Sequence, residues 1–252
     1  MFIDAGSRLE SAEMSGATHL LQTAALKEKA AAIEALGGVM NAYTTRETTV
    51  YTATVLKEKA AAAVGLLGEI VTVPLSSDES LAAAKETVLA QVAAMTSSPE
   101  EALMEGMHEM AYMDTSLAAP IVGSAATVSG FSKSDLAAPT TALTGSMVKI
   151  AGAGIEHAQL SELATAAFGK LSASSASSVE VAMEPAIWTG SDKHVRMDSY
   201  PLAHVALAYE GPALTSEYAL PATLAQYLLG SYEMGATTVR AIDDRSNGVQ
   251  HT

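Results

Sequence analysis

Residues 14–27 read MSGATHLLQTAALK, and the chain continues to position 36 as EKAAAIEAL. Apolar side chains at Leu20, Leu21, Ala24, Ala25 and Ile33 make a broad helical stripe, so residues 14–36 are predicted to be one helix. Upstream, residues 1–8 (MFIDAGSR) read as a strand running into a turn. Downstream, residues 41–56 (NAYTTRETTVYTATVL) are rich in Thr, Tyr and Val and read as strand. Residues 57–71 return to helix, and Leu81, Val88, Leu89, Val92 and Met95 share one face of another. At Ser98-Pro99-Glu100-Glu101 a capping serine precedes a proline at the first helical position, with acids in the first turn; this predicts a helix to about Met110. Ser132-Lys133-Ser134-Asp135 has the form of a capping box with Asp reaching back.

Further on, residues 147–152 suggest a strand and 156–171 a helix. Residues 172–178 are a serine-rich linker. Residues 204–209 (HVALAY) alternate as a strand does, and 215–229 read as a helix containing Pro221. The pattern predicts an α+β fold, with helices packed on one face of a mostly antiparallel sheet. It also predicts a division into a first domain (1–171), a connecting stretch (172–192) and the beginning of a second, incomplete domain (193–252).

The composition excludes several functions. The 252 residues carry 14 Lys and Arg against 28 Asp and Glu, a formal net charge of −14. A surface this acidic lacks the clustered cations that phosphate backbones require, and it does not dock on anionic lipid by charge alone. There is no cysteine, hence no disulfide and no thiolate metal site. Mean hydropathy is +0.22, much of it from alanine. The longest apolar stretch, 60–73, is interrupted by Glu69 and falls short of the roughly 20 residues a membrane span needs. The opening residues show neither a secretory nor a mitochondrial presequence pattern. Either no targeting is needed, or a leader and a first strand lie outside this sequence.

Of the six histidines, only His19 falls in a frame that chemistry uses. In the inverted zinc motif H-x-x-E-H, two histidines four residues apart share one helix face and bind zinc, and the glutamate between them serves as general base. Here the frame reads His19-Leu20-Leu21-Gln22-Thr23. Gln22 stands at the glutamate and Thr23 at the second histidine. On the frame alone, His19 is ordinarily a helix-face histidine. Other candidates are weaker. No G-x-S-x-G elbow exists for a serine hydrolase. Gly152-Ala153-Gly154 lacks the third glycine and the Lys-Ser/Thr pair of a phosphate loop and reads as a strand-end turn. Glu100, Glu101, Glu105 and Glu109 form a solvated acidic helix face. The methionines between 104 and 113 read as core filler, and Trp188 as a packing anchor near the junction of the two halves.

Five stretches, in order, resemble the pitrilysin-like metallopeptidase family. Residues 2–8 look like its opening strand, and Gly16-Ala17-Thr18-His19 through Lys27 like its motif helix. Asn41-Ala42-Tyr43-Thr44-Thr45-Arg46-Glu47-Thr48 resembles its N-A-x-T-x-R-E-x-T strand. Ser132 to Leu136 resembles its L-S-x-x-D-L, and residues 201–212 (PLAHVALAYEGP) the opening of its second half. The branch most similar holds the mitochondrial processing peptidase β subunit and the core 1 subunit of respiratory complex III. The resemblance implies a third zinc ligand, a glutamate on a later helix, seven residues after a second glutamate; those positions match Gln91 and Ala84. It therefore implies a degenerate site at His19, Gln22, Thr23, Ala84 and Gln91, with no catalytic residue, no metal and no cofactor. Neutral Gln and Thr are poor zinc ligands, and Gln takes no proton from water.

Between Lys27 and Asn41 the chain is shorter than the family pattern, lacking its G-T-x-x-R stretch. The implied role is that of a non-catalytic structural core subunit of mitochondrial complex III, peripheral on the matrix side of the inner membrane. Its implied partners are another pitrilysin-like core subunit, cytochrome b and cytochrome c₁, with no nucleic acid. The alternative is the non-catalytic subunit of a processing peptidase that binds presequences through a glycine-rich loop. The equivalent stretch here, 229–240, has only Gly230 and Gly235, which weakens that reading.

Overall fold

The computed structural model of the chain describes residues 1–72, 77–141, 143–171 and 185–230. The serine-rich linker at 172–178 and most of the 229–240 stretch lie outside the described residues. The chain forms two compact units, Met1–His204 and Val205–Thr252.

The first unit opens with β1 (Phe2–Ile3), followed by helix α1 (Ala17–Ala35). The predicted strand at 41–56 is instead a hairpin of β2 (Val39–Thr44) and β3 (Thr49–Thr54), in register from Val39↔Thr54 to Thr44↔Thr49. The turn is local hydroxyl chemistry. The Thr48 N–H donates to Thr45 Oγ1 at 2.9 Å, and the Thr45 N–H to the Thr48 carbonyl at 2.8 Å. Threonine serves a strand and a turn equally well, so composition alone did not reveal the reversal. β1 pairs with β3 (Phe2↔Val50) and with β4 (Val148–Lys149), giving an antiparallel sheet in the order β2-β3-β1-β4. β4 is only two residues of the stretch predicted at 147–152.

The helices follow the predicted order: α2 (Ala60–Thr72), α3 (Asp78–Ser97), α4 (Pro99–Ala111), α5 (Ala125–Gly130), α6 (Lys133–Thr141) and α7 (His157–Phe168). Both predicted capping signals are realised, and a third, at Ser77, was not predicted. Ser98 Oγ accepts from Glu101 N at the start of α4. Asp135 reaches back to the Ser132 N–H at 2.8 Å, at the start of α6. Ser77 caps α3 through Ser80 N. The short α5, with its Ser124–Thr127 capping box, has too few residues for a periodic signal.

Two cores meet at α1. One holds Ile3, Met40 and Tyr51 of the sheet, Ala25 and Ile33 of α1, and Leu67, Ile70 and Val71 of α2. The other holds Ala17, Leu20 and Ala24 of α1, Leu81, Ala84 and Val88 of α3, Val128, Phe131 and Leu136. Sheet and α3 thus claim different faces of one helix. The methionines expected in the core are not there: Met104 is 50% and Met113 39% exposed. α4 packs on α3 and on the turn at 116–118.

The predicted strand at 204–209, which begins at the last residue of the first unit, forms no ladder, and Val205, Leu207 and Tyr209 are each at least 80% exposed. Among the described residues of the second unit no strand is present to complete a ladder. Its helix, α8, begins at Ala219 rather than 215. Pro221 thereby falls in the first turn, where its missing N–H removes no helical hydrogen bond.

α1 starts at Gly16, which holds φ +91. A Cβ there would lie 2.8 Å from Gly123 Cα and from the Val122 carbonyl oxygen. Gly16→Ala is therefore expected to cost about 2 kcal/mol or more, from left-handed strain plus the backbone clash. Gly37→Ala, also at positive φ but with open space around it, is expected to cost about 1 kcal/mol. Urea midpoints for the two variants check the ranking.

Candidate functional site

The candidate residues lie where α1 crosses α3. The start of α1 is fixed by a residue the sequence did not single out. The Glu10 carboxylate accepts from Gly16 N at 2.7 Å and from Thr18 N at 2.6 Å, satisfying two of the helix's free amides with a charge of the favourable sign. Burial pushes the Glu10 carboxyl up, and the hydrogen bonds from Thr18 and Gly16 pull it back only in part. Nothing in the local pattern marks this cap, because the acid sits six residues before the N-cap instead of at it.

With its first turn held, α1 presents His19 toward α3. His19 Nε2 lies 2.8 Å from Gln91 Oε1. The structure thus brings together the first and last positions of the proposed site, which are 72 residues apart in sequence. An amide oxygen only accepts, so Nε2 carries the proton in this arrangement and Nδ1 is bare. Nδ1 is buried without a partner. Charging the ring would place a second N–H where no acceptor stands. Burial accordingly lowers the His19 pKa from its ordinary value, and the Gln91 hydrogen bond opposes that only in part.

Gln22 and Thr23 are buried on α1, and Ala84 is fully buried on α3 in the packing core with Leu20 and Ala24. Position 84 therefore contributes a methyl group to helix packing and no donor to a site. Among the described residues no three His, Cys, Asp or Glu side chains converge to hold a metal ion. The set His19, Gln22, Thr23 and Gln91 offers one imidazole and three neutral groups. That does not fit zinc, which takes three nitrogen, thiolate or carboxylate ligands plus water in a catalytic site.

Arg46, in the hairpin turn, reaches the other end of this helix layer. Its guanidinium donates to Glu105 at 2.8 Å and to the Leu117 carbonyl at 3.1 Å. Lys193 pairs with Glu109. Two of the four glutamates expected to form a solvated face are thus ion-paired, and Glu105 is half-buried.

A small sheet under helices, with His19 of the first helix facing Gln91 of a later one, matches the arrangement that the family resemblance implies. Two family models match: Insulinase (Peptidase family M16) over residues 1–125, and Peptidase M16 inactive domain over residues 141–249. The chain belongs to the M16 peptidase family. It is 32% identical over 246 residues to the mitochondrial-processing peptidase subunit beta of Blastocladiella emersonii, covering 94% of this chain and 52% of that protein. It is 31% identical over 245 residues to the human cytochrome b-c1 complex subunit 1, covering 92% of this chain and 51% of that protein. The chain spans about half the length of the curated relatives it matches. Its fold is shared with a chain of complex III2 from Candida albicans, with TM-score 0.78 at 21% identity, over 94% of this chain and 55% of that one. It is also shared with a protease from Helicobacter pylori, with TM-score 0.62 at 18% identity, over 68% and 44%.

Three outcomes are expected. Glu10→Ala removes the α1 cap and should lower stability by about 0.5–2 kcal/mol in denaturant melts. His19 should titrate by NMR below its ordinary value of 6.5, with the proton on Nε2 in the neutral form. Because its folded-state pKa is the lower one, its contribution to stability is complete above the unfolded value and is lost as pH falls through the folded one. Gln91→Glu, which sets a carboxylate against the ring, should raise the His19 midpoint.

Proposed function

We propose that the chain is a non-catalytic structural core subunit of mitochondrial respiratory complex III, peripheral on the matrix side of the inner membrane. The observation that carries this reading is the hydrogen bond between His19 Nε2 and Gln91 Oε1. It engages the one imidazole that zinc would need. With Gln22, Thr23 and Ala84 at the other motif positions, the residues supply neither a metal ligand set nor a base to activate water. What remains is the packed α1–α3 crossing.

The similarity to a cytochrome b-c1 complex subunit 1 supports the assignment to complex III. No helix of the described residues is long and apolar enough to cross a membrane, in keeping with contact through other subunits. The partners on this reading are a second pitrilysin-like core subunit, cytochrome b and cytochrome c₁. Residues 1–171 act as the first pitrilysin-like domain, 172–192 as the connection and 193–252 as the start of a second such domain.

The second reading, a non-catalytic subunit of a mitochondrial processing peptidase that binds presequences, is favoured by the similarity to processing peptidase β subunits. The net charge of −14 would also favour encounter with basic segments.

Blue-native electrophoresis with mass spectrometry of mildly solubilised mitochondrial membranes separates the two. Co-migration with cytochromes b and c₁ is expected. Co-migration with a soluble peptidase heterodimer lacking cytochromes would favour the second reading, and a free folded species would contradict both. Restoring Gln22→Glu, Thr23→His and Gln91→Glu together should create zinc binding measurable by calorimetry in a chain that otherwise shows none.

A further inference from the structure

We draw no further inference here: the strongest candidate, the apolar cavity between the sheet and helices α1 and α2 that Ile3, Leu21, Tyr51 and Ile70 line, is also walled by Val71 and Leu143, each close in sequence to a stretch outside the described residues, and nothing in the structure shows what fills or covers it.

Discussion

Helix α1 is asked to be buried on two sides at once. Ala25 and Ile33 pack toward the sheet and α2; Ala17, Leu20 and Ala24 pack toward α3 and the following helices. A helix serving as the shared wall of two cores tolerates little bulk, which accounts for the buried Ala17, Ala24 and Ala25. It also has to begin at one place and no other. Gly16 and Gly123 secure that by letting two backbones approach with no Cβ between them, and Glu10 secures it by holding the first amides. Sheet, α3 and the candidate site all take their positions from this start.

The α1–α3 crossing explains how a peptidase frame can do without a metal. A zinc ion between two helices links them, but here the link is not what holds them. Burying Leu20, Leu81 and Val88 stabilises the crossing by about 1.5–3 kcal/mol each. A single neutral hydrogen bond such as His19–Gln91 adds about 0.5–1.5 kcal/mol. Packing wins by several-fold, so the polar site above it can change without loss of fold. Ala84 goes further, adding to the packing at a position where the family resemblance implies a carboxylate.

Much of this was legible in the sequence because the signals were long or local. Nineteen residues of helix α1 carry enough periodicity to be read. Ser98-Pro99 and Ser132 to Asp135 announce helix starts through capping chemistry that needs only neighbours. The pairing of His19 with Gln91 came from the resemblance, since no local pattern joins residues so far apart. The hairpin turn at Thr45–Thr48 was missed because threonine suits both a ladder and a turn. The isolated strand at 204–209 was over-read: alternation describes a strand only where a partner completes it. Glu10 and Arg46 were invisible, because each acts through contacts that only the folded chain creates.

The functional account rests on one claim, that His19 is committed to Gln91 and unavailable to a metal. Anomalous diffraction at the zinc edge, from crystals of the protein grown with a modest excess of zinc, tests it most directly. The account predicts no anomalous peak beside His19, with Nε2 still about 2.8 Å from Gln91 Oε1. A fully occupied peak about 2.0–2.1 Å from a His19 ring nitrogen, with Gln91 turned away or ligating, would contradict it.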